Sequence, residues 1–211
     1  MANRITILRF PVLFAVILLL NSASPVARMI SAALLIILIA MDSLDGIIAR
    51  RFSEESLLGS VLDIMADRSV ELVLWIVYAD LNLVPIVIPV VFVLRGTIVD
   101  SLRSVYVGSG ETPFSAMRTP LGRWLVGGPV MRSSYAVIKL ISFVGLALTH
   151  MLAAYAAQGS VSAQTVATSG LVFLVCSWLS VVFCLARGVP VIVETVPELA
   201  RRSRPARKSA P

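Results

Sequence analysis

The chain has 211 residues, of which 58% are hydrophobic and only 14% charged, and its mean hydropathy is +0.92. Long apolar runs in so apolar a chain exclude an ordinary soluble domain and place it among polytopic membrane proteins. The formal net charge is +6, but Lys and Arg collect at span ends and in the tail instead of on one aromatic-interleaved face. That pattern excludes a nucleic-acid footprint and fits membrane topology and contact with anionic lipid.

In chain order, apolar runs predict six transmembrane helices: roughly Ile5 to Leu20, Val26 to Ala49, Leu57 to Tyr78, Leu81 to Val107, Ser134 to Ala157 and Ala163 to Ala186. The expected fold is all-α and integral to the membrane, with one six-span domain over residues 1–188. Residues 189–211 form a basic tail, expected to be disordered and held near anionic lipid. The breaks at Ala79-Asp80 and at Gln158 to Ser162 carry no Lys or Arg, whereas Arg50, Arg51, Arg118, Arg123, Arg132 and the Arg201 to Lys208 tail lie on the opposite side. The positive-inside rule therefore puts both termini in the cytoplasm, with Arg28 as the exception. Arg4 and Arg9 ahead of an apolar run resemble a signal peptide; a retained first span is expected, because cleavage would leave five spans and spoil the charge pattern. His150 reads as an interfacial polar residue. Cys176 and Cys184, about 12 Å apart along one helix, lie beyond disulfide reach.

Acidic residues interrupt the apolar runs in one region. Asp42 and Asp45 share a face of the second predicted helix, and Asp63 and Asp67 share a face of the third, with Gly59 one turn earlier on the same stripe. The polar run Arg50 to Ser56 reads as a tight turn that makes the two helices antiparallel neighbours. Folding back about Glu54 sets Asp45 opposite Asp63 and Asp42 opposite Asp67, roughly 10 Å inside the cytoplasmic end at about 1.5 Å per residue. Four carboxylates in an apolar setting require cations, and all-oxygen donors suit two hard divalent ions, Mg²⁺ or Mn²⁺. The competing structural account is an internal salt-bridge cluster through Arg50, Arg51 and Arg68.

These residues resemble the signature of the CDP-alcohol phosphatidyltransferases, Asp-x2-Asp-Gly-x2-Ala-Arg-x8-Gly-x3-Asp-x3-Asp. All its fixed positions are present: Asp42, Asp45, Gly46, Ala49, Arg50, Gly59, Asp63 and Asp67. The resemblance implies displacement of CMP from CDP-diacylglycerol by an alcohol hydroxyl, in a six-span homodimer of a bacterial-type inner membrane. It further implies that Asp42, Asp45, Asp63 and Asp67 hold two metal ions, that Gly46, Ala49, Arg50 and Gly59 meet the CDP moiety, and that Asp67 is the catalytic base. The physical sense agrees. Glycines let a substrate approach backbone closely, and Arg50 offers a bidentate phosphate ligand.

The acceptor rests on weaker signals. Asn3-x2-Thr6-x2-Arg9 and Arg95-x7-Arg103 resemble the branch that makes phosphatidylglycerophosphate from glycerol 3-phosphate, although Gly96 stands where that branch has an acidic residue. The Gly-Lys-x-Lys-Thr run of that branch is also missing ahead of the fifth span. Arg95 lies deep in its span and needs an anionic partner, either Asp100 or a ligand phosphate. With Arg103, Arg132, Lys139 and Arg187 it predicts a basic wall that binds a phosphorylated acceptor. Inositol phosphate, or another alcohol, is the alternative acceptor. An intramembrane prenyltransferase and a divalent-cation transporter are the alternative functions.

Overall fold

A computed structural model describes residues 2–51, 57–108 and 119–202. The described chain is all helical: α1 (Ala2–Leu20), α2 (Pro25–Arg51), α3 (Leu57–Asp80), α4 (Val87–Gly108), α5 (Pro120–Gly127), α6 (Pro129–Ala157) and α7 (Ala163–Arg202).

Local chemistry sets the helix ends. Ser24 opens α2, where its Oγ accepts from the Ala27 amide at 3.5 Å and Pro25 takes the first helical position. Ser162 caps α7 the same way, its Oγ accepting from the Thr165 amide at 3.1 Å. The α3 helix ends with Asn82 in the left-handed region at φ 57, while the Leu83 amide reaches back to the Tyr78 carbonyl at 2.9 Å. Gly159, at φ 77, ends α6 in the same manner, with the Ser160 amide donating to Tyr155 O at 3.1 Å.

The chain divides into two compact units, Met1–Val90 with Ile138–Leu179, and Val91–Val137 with Ser180–Pro211. In the first, α1 packs against both α2 and α3. Its buried stripe runs Thr6, Arg9, Leu13, Val16, Leu20, polar at the start of the helix and apolar afterwards. On α3 the buried residues Leu74, Trp75 and Tyr78 meet α6, where the Trp75 and Phe143 rings lie 4.7 Å apart and the Tyr78 hydroxyl donates to Phe143 O at 2.7 Å. Helices α6 and α7 approach closely at Gly145, since a Cβ there would collide with the Phe173 ring. In the second unit Val99, Val126 and Val191 form a small core.

Three expectations change. The fourth helix starts at Val87, not Leu81, because the turn through Asn82 and Pro85 consumes the intervening residues. The loop before the fifth predicted span contains α5, capped by Thr119, whose Oγ accepts from the Gly122 amide at 3.0 Å. The boundary expected at residue 188 falls inside α7, which continues to Arg202. Val191 and Thr195 stay buried, at 4% and 2% exposure, and give this extension a packed face. Residues 203–211 lie outside the described part. By length and composition two described helices are apolar enough to cross a membrane, Pro129–Ala157 and Ala163–Arg201. Two shorter apolar helices, Ile5–Leu20 and Pro25–Met41, accompany them, and the expected count of six is not reached by that measure among the described residues.

Candidate active site

The motif's carboxylates sit on the two helices the spacing requires. Asp42 and Asp45 are on α2 and Asp63 and Asp67 on α3, with half-buried Gly59 one turn before Asp63. The side chains of Asp42, Asp45, Ala49 and Arg50, and Gly46, lie outside the described part, as does the turn at 52–56. Convergence of all four acids is therefore a matter for the proposal below.

On α3 the acids are half exposed, Asp63 at 50% and Asp67 at 49%, and a cation already faces them. It is Arg9 of α1, whose Nη2 donates to Asp67 Oδ1 at 2.8 Å and whose Nη1 lies 3.8 Å from Asp63 Oδ1. The guanidinium itself is only 3% exposed. The stripe also continues inward by one more turn. Glu71, 8% exposed, accepts from Lys139 Nζ at 2.9 Å and pairs with Arg68 at 3.5 Å. Ion pairs thus link the acids of α3 to α1 and α6: Arg9 meets Asp63 and Asp67, and Lys139 with Arg68 meets Glu71, while the side chains of Arg50 and Arg51 lie outside the described part.

The donor chemistry fits a hard divalent ion: two half-exposed carboxylates one helical turn apart, in a place that already attracts a cation. Among the described residues no group of three or more potential metal ligands occurs, so a complete ligand set needs the acids of α2.

The acceptor residues divide. Arg95, Arg132 and Arg187 belong to the second unit, as does Arg103, whose side chain is outside the described part; Lys139 belongs to the first. Arg95 is 8% exposed, and its Nε is buried with no acceptor among the described residues. Its neighbour is Gly188 of α7, where a Cβ would lie 2.7 Å from Arg95 Cγ and 2.8 Å from Nε. A bare backbone at residue 188 is what lets this guanidinium lie where it does. Arg187 is held by the Val126 carbonyl at 3.1 Å and by the Tyr135 ring at 5.4 Å. Arg132 is exposed, and Lys139 is engaged by Glu71. Nearby, Glu194 accepts from the Thr119 hydroxyl and from its amide at 3.4 Å, tying α7 to the start of α5.

The two outlying polar residues of the sequence have structural work instead. His150, 8% exposed, hydrogen-bonds Leu20 O at 3.0 Å through Nε2. Arg28, the exception to the charge rule, donates to Ser22 O at 2.8 Å and to His150 O at 3.2 Å, and so ties together the connection between α1 and α2 and the α6 backbone. Cys176 and Cys184 form no disulfide.

Glu71 and Gly188 went unrecognised in the sequence, and Arg9 was read there only as part of Asn3-x2-Thr6-x2-Arg9, not as a partner of the acids. Arg9 carried a signal for that role, since it shares the α1 stripe with Thr6 and Leu13. So did Glu71, four residues beyond Asp67. Gly188 carried none, because its role depends on a helix far away in sequence.

Among the described residues the chain is all helical, two of its helices are long and apolar enough to cross a membrane, and a pair of carboxylates on α3 faces a buried cation. The family profile of the CDP-alcohol phosphatidyltransferases matches residues 1–193, and the chain belongs to that family. It is accordingly a transferase of phospholipid biosynthesis, in a family of divalent-cation-dependent integral membrane proteins. This membership replaces the prenyltransferase and transporter alternatives. No individual curated protein matches the chain.

Proposed function

We propose that the enzyme transfers the phosphatidyl group of CDP-diacylglycerol to a phosphorylated alcohol, with glycerol 3-phosphate as the acceptor. The observation that carries the acceptor class is Arg95. A guanidinium stays protonated at any working pH, and burying it without an acceptor at Nε is costly unless a ligand supplies one. The buried Nε of Arg95 has no acceptor among the described residues. A phosphate monoester offers the geometry and charge that a guanidinium binds best, whereas a neutral alcohol such as serine offers no phosphate. Arg103 and Arg132 supplement Arg95, while Lys139 and Arg187 keep Glu71 and the end of α5 in place.

Asp42, Asp45, Asp63 and Asp67 hold two divalent ions, Mg²⁺ or Mn²⁺, which when bound neutralise the pyrophosphate and the departing CMP. Gly46, Ala49, Arg50 and Gly59 receive the CDP moiety. The acceptor hydroxyl oxygen forms a bond to the phosphatidyl phosphorus, the bond from that phosphorus to the CMP oxygen breaks, and Asp67 takes the hydroxyl proton. Arg9, which donates to Asp67 Oδ1 at 2.8 Å, keeps a positive charge beside this carboxylate. The enzyme works as a homodimer spanning a bacterial-type inner membrane six times, with both termini cytoplasmic.

The test is CMP release from CDP-diacylglycerol across glycerol 3-phosphate, inositol phosphate, inositol, glycerol and serine. Turnover with glycerol 3-phosphate supports the reading. Turnover with inositol phosphate alone keeps the phosphate and changes the alcohol. Turnover only with an unphosphorylated alcohol refutes it.

A further inference from the structure

We infer that Arg9 is the resident counter-ion of the carboxylate site, a built-in cation that offsets Asp63 and Asp67 when no divalent ion is bound and competes with the ion for them. The inference rests on the metal reading above and adds a component to it.

The observations are geometric. Arg9 lies on the core-facing stripe of α1, where the next positions are the apolar Leu13, Val16 and Leu20. Residue 9 instead carries a permanent charge at 3% exposure, which is costly to bury without a partner. The two acids it meets are half exposed. The arginine is therefore buried behind acids that keep about half of their side-chain surface exposed. A divalent ion arriving from solution finds Asp67 Oδ1 already engaged at 2.8 Å and a positive charge behind both carboxylates.

Two consequences follow from charge alone. Without an ion, Asp63 and Asp67 are like charges one turn apart, with two further motif acids on α2, and Arg9 offsets their repulsion. With an ion, the guanidinium repels it and holds one of its ligand oxygens, so Arg9 weakens ion binding. The site can then release or exchange its ions without losing the packing of α1 on α3.

Both consequences are measurable on the full-length protein in detergent or nanodiscs, with Mn²⁺ alone as the probe. Free Mn²⁺ is followed by electron paramagnetic resonance, and melting is followed in EDTA and in saturating Mn²⁺. Arg9→Met keeps the length and removes the charge; it is expected to bind Mn²⁺ about tenfold more tightly than the unaltered protein. It should melt several degrees lower in EDTA, and Mn²⁺ should raise its melting temperature by more than it raises that of the unaltered protein. Arg9→Lys keeps the charge on a shorter stem and should fall between the two, which gives a folded comparison if Arg9→Met does not accumulate. Mn²⁺ affinity that is unchanged or weaker in both variants overturns the inference and makes Arg9 a ligand-orienting or purely structural residue. Absence of Mn²⁺ binding in every protein, the unaltered one included, overturns the metal reading and this inference with it.

Discussion

Arg9 and Arg95 are both more than nine-tenths buried, yet they keep opposite company. Arg9 meets two carboxylates, at 2.8 and 3.8 Å. Arg95 meets a glycine, Gly188, and its Nε has no acceptor among the described residues. A buried guanidinium beside acids is compensated within the chain and adjusts those acids. One lodged against bare backbone, with Nε unpartnered among the described residues, keeps a donor for an anion. On the function proposed above, the same residue type serves the metal site in one unit and the acceptor in the other.

The comparison breaks most visibly at the acids. Asp63→Asn should lower CMP release by about 10³-fold while leaving helical content and detergent elution unchanged, because charge removal costs the ion but relieves repulsion in the metal-free state. Asp42→Asn and Asp45→Asn should behave alike, and near-normal turnover in any of them at saturating Mg²⁺ would separate that residue from the metal site. Next in size is Arg95→Gln. It should raise the KM for the phosphorylated acceptor by about 10- to 100-fold, the effect of losing a charge-assisted contact, with the KM for CDP-diacylglycerol little changed. Equal effects on both substrates would make Arg95 a structural residue.

A milder perturbation sharpens the same point without touching the arginine. The Cβ introduced by Gly188→Ala must displace Arg95, so the acceptor KM should rise by about threefold while melting barely moves. A variant with normal acceptor KM and lowered melting would instead assign Gly188 to helix packing. The smallest expected effect on turnover belongs to Glu71→Gln, which leaves Lys139 without its buried partner. Its expected cost is about 1–3 kcal/mol of stability, since Lys139 keeps some solvent exposure. Adding Lys139→Met should recover part of that loss in thermal melts; further loss would show that the pair does more than compensate itself.

The helices and the family motif were legible because both are local. Apolar runs and the i, i+3 and i, i+4 spacing of Asp42, Asp45, Asp63 and Asp67 need no tertiary information. The misplaced ends have local causes too: Asn82 in the left-handed region delays α4, and a packed face through Val191 and Thr195 extends α7 past its apolar run. What stayed illegible was pairing at a distance. Arg9 lies 58 residues from Asp67, and Lys139 lies 68 from Glu71. Lys139 looked like a free basic residue near a span end because nothing adjacent to it is acidic. The room made by Gly188 for Arg95 cannot be inferred from either residue alone.

The central claim is that the carboxylates act through a divalent ion on a CDP-linked lipid. The direct measurement is CMP release from CDP-diacylglycerol and glycerol 3-phosphate by the purified protein, first in excess EDTA and then with Mg²⁺ or Mn²⁺ restored. The account predicts no release in EDTA, recovery on restoring either ion, and no recovery in Asp63→Asn. Sustained release in EDTA, or recovery in Asp63→Asn equal to that of the unaltered protein, would contradict it.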